Sequence, residues 1–152
     1  MLCNSAKTRY DICEIGRIMY EKGHSPGSSG NISCRLGNEI LVTASGCCLG
    51  RLSAEDVIAV DMNGNPIDKK GNPSSERFMH IEIYKRRPDV NCIIHAHAPK
   101  STAMSIAGKE ISSDILAEAV IHIGEKIPLA AYETPSTNEL AAMVAGKFTD
   151  ND

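Results

Sequence analysis

The feature that most constrains this chain is the two-residue break at Gly37-Asn38. It stands between "NISCRL" and "EILVTAS", two short runs rich in apolar and β-branched residues. Two such runs joined by a Gly-Asn pair predict an antiparallel hairpin, because the tight turn needs positive φ and period-two patterning lets every second side chain share one face. "VIAVD" followed by "NGNPI" at 57–67 repeats the strand and turn pattern.

The flanking segments supply helices. Ile12, Ile15, Ile18 and Met19 at helical spacing predict an amphipathic helix over about 5–22, with Gly23 ready to close it. "GHSPGSSGNIS" at 23–33 is too rich in Gly, Ser and Pro for regular structure and reads as a loop. After "GNPSS" the period changes, and Phe78, Ile81, Ile83 and Tyr84 predict a helix that ends before Arg87-Pro88. "VNCIIHAHA" at 90–98 predicts a buried strand, followed by a helix over about 99–108. Ser136 and Glu139 form an S-x-x-E capping box that opens a last helix. Clustered strands with interspersed helices predict an α/β or α+β domain with a mainly antiparallel sheet.

With 152 residues, 42% hydrophobic and 23% charged, the chain has the size and composition of one compact domain, 1–152. The 16 Lys and Arg are scattered, Trp is absent and there are two Phe, which argues against a nucleic-acid partner. Cys3, Cys13, Cys34, Cys47, Cys48 and Cys92 show no C-x-x-C spacing and read as reduced thiols. No segment has the pattern of a leader peptide or a membrane span, so the expectation is a cytoplasmic protein with no membrane partner.

Chemistry is suggested first at "IIHAHAPKS", 93–101. On a strand, His95 and His97 point to one face, where both imidazoles can reach one cation. An isolated H-x-H is more often two polar residues on a half-exposed face, but the apolar flanks weaken that alternative. Glu76, at the start of the preceding helix, is the nearest candidate oxygen ligand or acid/base; a carboxylate there can equally stabilise the helix N-terminus. Ser74 and Ser75 divide the same way between helix capping and phosphate binding. "SSGNIS" and "TASG" are further Ser/Gly clusters with accessible backbone donors. His24, His80 and His122 read as surface or structural histidines.

Taken in order, "GSSGNIS", "VTASG", "GNPSSE", "RPDVNCIIHAHAPKSTAMS" and "IPLAAYETPSTNELA" resemble the class II aldolase and adducin head family, over nearly the whole chain. The resemblance implies a three-layer α/β/α fold with a mainly antiparallel central sheet. It also implies a homo-oligomer, usually a tetramer, with one Zn2+ per subunit. By position, Asn31, Ser45, Gly46, Ser74 and Ser75 match the family's phosphate-binding residues. Glu76 matches its acid/base and resting-state metal ligand, and His95 and His97 match two of three zinc histidines. The implied activity is zinc-dependent cleavage of a ketose 1-phosphate into dihydroxyacetone phosphate and an aldehyde. The related epimerases carry aspartate after the two serines, so Glu76 favours the aldolases.

Three departures accompany the resemblance. "SDILAEAVI" has no counterpart of the aldolases' tyrosine, and Ser136 stands where glycine is expected in "ETPSTNELA". Family members continue into a strand carrying the third histidine and then a closing helix, whereas this sequence reads "TDND" at 149–152. The expectation is a chain lacking that C-terminal strand and helix. The alternatives are a non-catalytic scaffold module like the adducin head, or an epimerase or dehydratase of a sugar phosphate.

Overall fold

The structure is a computed structural model that describes residues 5–67, 71–114, 116–124 and 126–148. Helix α1 (Ser5–Glu21) leads through a loop to the hairpin of β1 (Asn31–Leu36) and β2 (Glu39–Thr43). Two short 3-10 turns, Leu49–Arg51 and Ala54–Asp56, precede β3 (Val57–Asp61). Then follow α2 (Arg77–Arg86), β4 (Cys92–His95), α3 (Pro99–Ile106), β5 (Ile111–Ser112), α4 (Ala117–Ile123), β6 (Lys126–Ile127) and α5 (Asn138–Ala145). The main sheet has the order β3-β2-β1-β4, antiparallel at every step, and β5 pairs with β6 separately.

The predicted hairpin is present with its two-residue turn: Leu36 pairs with Glu39, and Gly37 has φ +61°. Period-two alternation then divides the core. Ile32, Cys34, Leu41, Val57 and Ala59 face α1 and the first 3-10 turn, while Ile40, Val42, Ile58 and Val60 face Ile81 and Tyr84 of α2. On its far side α2 buries Met79 and Ile83 against Ala141 and Ala145 of α5. Two alanines one helical turn apart let α5 lie close. The helices therefore sit on both faces of a mainly antiparallel sheet, as expected for an α/β/α arrangement.

Three expectations need correction. The buried stripe of α1 is Thr8, Ile12 and Gly16, whereas Ile15 and Ile18 are each 40% exposed. A Cβ at Gly16 would lie 2.8 Å from the Leu49 carbonyl oxygen, so the missing side chain, rather than an isoleucine, sets how closely α1 docks. "VNCIIHAHA" does not form a buried strand: β4 is four residues long at the edge of the main sheet, and Ile94 is 49% exposed. It ends at His95, so His97 lies beyond the regular alternation. The cap of α5 is Thr137, whose hydroxyl accepts from the Leu140 amide, and the Ser136–Glu139 capping box is absent. Ser136 is instead the one non-glycine with positive φ (+65°) among the described residues.

Arg35 ties the C-terminal end of α2 to the sheet. Its guanidinium donates to the Tyr84 carbonyl at 3.0 Å and the Pro88 carbonyl at 2.6 Å, and also to Val90. At the other end, Arg77 donates to the Gly64 carbonyl at 2.7 Å and the Ser74 carbonyl at 3.0 Å. These contacts fix the start of α2 where the candidate chemistry lies. Among the described residues, no helix is long and apolar enough to cross a membrane.

Candidate active site

Asn31 opens β1 and pairs directly with His95, the last residue of β4. Alternation puts both on the face that carries α2, because Ser33 and Ile93 of the same strands also meet that helix. Glu76 stands at the N-cap of α2 and so reaches the same point. Its Oε2 lies 2.9 Å from His95 Nδ1 and accepts from Asn31 Nδ2 at 2.9 Å. In a neutral imidazole, a hydrogen bond from Nδ1–H to a carboxylate puts the lone pair on Nε2. His97 lies next to His95, with ring centroids 4.9 Å apart and planes tilted by 47°.

The hydrogen bond from His95 is the main reason that the Glu76 carboxyl titrates below its ordinary range; burial opposes it, and Asn31 and the charges of His95 and His97 reinforce it. Glu76 is therefore an ionised carboxylate at neutral pH. The backbone packed against His95 is tightly constrained. Gly30 has φ +80°, and a Cβ there would lie 2.6 Å from the His95 carbonyl oxygen and 2.7 Å from Ser25 Oγ.

The other expected site residues lie on two loops that run side by side. The Ser74 amide donates to the Thr43 carbonyl at 3.0 Å, and the Ser45 amide donates to the Asn72 carbonyl at 2.8 Å. Gly46, at φ +73°, turns the first loop. Ser45, Gly46 and Ser75 are exposed, while Ser74 is buried, with its hydroxyl accepting from the Glu76 amide at 3.3 Å. Ser75 Oγ accepts from Ser136 Oγ at 2.9 Å. The Asn31 amide nitrogen is turned to Glu76 rather than to these loops, and its Oδ1 is buried without a partner. A cleft of 640 Å³ lined by Ile106, Tyr132 and Leu140, among others, contains none of these residues.

Two features were not evident from the residue pattern. His80 is fully buried on α2, one turn after Glu76, with its Nδ1 2.7 Å from Ser33 Oγ, which in turn lies 2.8 Å from the Tyr84 hydroxyl. Burial drives its pKa down to about 3, so it is neutral, and its Nε2 has no partner. The signal available was Glu76, His80 and Tyr84 at i, i+4 and i+8. The second is the Ser136–Ser75 contact, signalled only by a serine at an expected glycine.

Two imidazoles and a carboxylate make a donor set that suits zinc. Yet among the described residues no three His, Cys, Asp or Glu side chains are grouped so as to hold a metal ion. Glu76 Oε2 and His95 Nδ1 engage each other, so a shared ligand point requires one of these side chains to turn.

This arrangement, a carboxylate at a helix start against a histidine at the end of an edge strand, sits on the class II aldolase fold, and the comparisons agree. The model of the class II aldolase and adducin N-terminal domain matches residues 10–152, and the chain belongs to that family. L-fuculose phosphate aldolase of Methanococcus maripaludis (strain C7) is 39% identical over 141 residues, covering 93% of this chain and 76% of the relative. Methylthioribulose-1-phosphate dehydratase of Pseudomonas savastanoi pv. phaseolicola is 41% identical over 96 residues, covering 62% and 47%. The solved structure of YgbL from Klebsiella pneumoniae superposes with a TM-score of 0.85 at 29% identity, covering 95% of this chain and 71% of that one.

Proposed function

We propose that this chain is a zinc-dependent lyase that cleaves a ketose 1-phosphate, such as L-fuculose 1-phosphate, into dihydroxyacetone phosphate and an aldehyde. The observation that carries this reading is the ionised Glu76 carboxylate held between His95 and Asn31. The relative named L-fuculose phosphate aldolase, 39% identical across most of the chain, supports the reaction class. His95, His97 and Glu76 are the residues that would hold the metal. The chemistry zinc supplies there when bound is Lewis-acid stabilisation of negative charge on the substrate's carbonyl and hydroxyl oxygens.

The remaining work belongs to the chain. Glu76, deprotonated at neutral pH, carries a proton between its carboxylate and the reacting carbon. Asn31 fixes which oxygen of Glu76 is presented, by donating to Oε2. The 43–46 and 72–75 loops, laid side by side by the Ser74–Thr43 and Ser45–Asn72 bonds, offer Ser45, Gly46 and Ser75 to a phosphate. The assembly proposed with this activity is a homo-oligomer, as the family resemblance implies.

A second reading rests on the dehydratase relative, 41% identical over 96 residues. Dehydration of a related sugar phosphate would use the same carboxylate and the same phosphate loops. A panel of ketose 1-phosphates, assayed with and without added zinc, separates the two. Release of dihydroxyacetone phosphate supports cleavage, loss of water with the carbon chain intact supports dehydration, and turnover of neither overturns both.

A further inference from the structure

Cys34 on β1 and Cys92 on β4 are register partners across the antiparallel pair, and their sulfurs are 2.7 Å apart. The neighbouring pair is joined by the Arg35 amide to the Asn91 carbonyl, which makes Cys34 and Cys92 a pair without backbone hydrogen bonds between them. In such pairs the Cα atoms lie about 4.5 Å apart with the side chains close, inside the range a disulfide spans. Cys34 is buried and Cys92 is exposed at the edge strand, so one sulfur is open to a solute and the other waits behind it.

We propose that Cys34 and Cys92 form a redox-active dithiol that closes an intramolecular disulfide by exchange with a low-molecular-weight disulfide. The Cys92 thiolate attacks one sulfur of the small disulfide, breaking its S–S bond and expelling one thiolate. The Cys34 thiolate then attacks the Cys92 sulfur of the mixed disulfide and expels the second. Two protein thiols are oxidised, the small disulfide is reduced to two thiols, and the two protons lost by the cysteines go to the leaving groups. The ordinary chemistry of the site supports this order. The hydrogen bond from Cys34 draws the Cys92 thiol down to about 7, against burial and the nearby Asp11, and the attacking thiol works best with a pKa near the ambient pH.

The link would also act on the candidate active site. Cys92 opens the same short strand that His95 closes, and Cys34 lies on β1 with Asn31, the register partner of His95. Closing it joins residues 58 apart in sequence and staples a strand that, among the described residues, backbone pairing holds on one side. Constraining the unfolded chain in this way should raise the melting temperature of the oxidised protein by about 5 °C or more.

The test treats the full chain with oxidised glutathione and counts thiols after denaturation, with a peptide map of the product. The titre should fall by two from the six cysteines present, with a Cys34–Cys92 linked peptide that dithiothreitol removes. Cys34→Ser should stop at a stable glutathione adduct on Cys92 and lose one thiol. The proposal is overturned if the wild type loses no thiols, if it stops at glutathione adducts, or if the linked peptide joins any other cysteines or two chains. Should Cys34→Ser not fold, the wild-type map decides alone.

Discussion

At the residue scale the site depends on positions where a side chain is missing as much as on those that carry chemistry. Gly30 is held at φ +80° with the His95 carbonyl behind it, so Gly30→Ala meets both backbone strain and a contact of 2.6 Å. Strain of this kind plus the displaced strand end should lower stability by about 2 kcal/mol or more in urea unfolding. It should also weaken metal binding, because the displaced strand end carries His95. Ser136 presents the opposite case. It occupies φ +65° with a side chain where the family resemblance expects glycine. Relief of that strain is offset by the lost hydrogen bond to Ser75 and by the greater freedom of glycine in the unfolded chain. Ser136→Gly should therefore raise stability by only about 0.5–1 kcal/mol, whereas Ser136→Val, β-branched at positive φ, should lower it by at least about 1 kcal/mol.

At the scale of elements, α2 positions Glu76, and the buried His80 beneath it ties that helix to β1. Its pKa falls from the ordinary 6.5 to about 3 because burial disfavours the imidazolium. A base whose folded pKa is depressed binds fewer protons folded than unfolded, so stability is lost as pH falls from 6.5 towards 3. Between pH 6.5 and 4.5 the carboxylates Glu76, Asp61 and Asp89, all shifted down from 4.5 or 3.8, contribute little slope. Over that window the wild type should lose about 2–3 kcal/mol that His80→Gln does not lose, measured by chemical denaturation at each pH. An equal slope in both proteins would mean that His80 does not carry it. What could be read in the sequence follows the same division. The β1–β2 hairpin, β3 and α2 were legible because turn chemistry and periodicity are local. The docking face of α1 was not, because it is set by Gly16 approaching the Leu49 carbonyl, a contact 33 residues away in sequence. The edge position of β4 was equally hidden, since apolar composition does not say which strand has a neighbour on only one side.

For the whole molecule, the family and its fold were legible from motif order, and the Glu76–His95 meeting followed from it. The hydrogen bond from Asn31 to Glu76 was not, because it depends on β1 and β4 pairing at Asn31 and His95. That pairing decides what metal titration should show. His95 has its Nδ1 2.9 Å from the Glu76 carboxylate, so Nε2 is the nitrogen left for the proposed metal. His97 stands 4.9 Å away, ring to ring, whereas His122 lies in the last turn of α4. Losing a group that merely orients a ligand costs about 10–100-fold in metal affinity, so losing a ligand should cost at least that much. His95→Ala and His97→Ala should each weaken zinc binding by about 100-fold or more, while His122→Ala should stay within about 3-fold of the wild type. Glu76→Gln keeps the shape but loses the charge and should fall between them, by about 10-fold or more, because His95 then has only a neutral acceptor. If the His95 and His122 variants lose zinc equally, the proposed metal assignment fails. If the His variants bind normally and only Glu76→Gln loses turnover, the carboxylate acts without a metal at these residues.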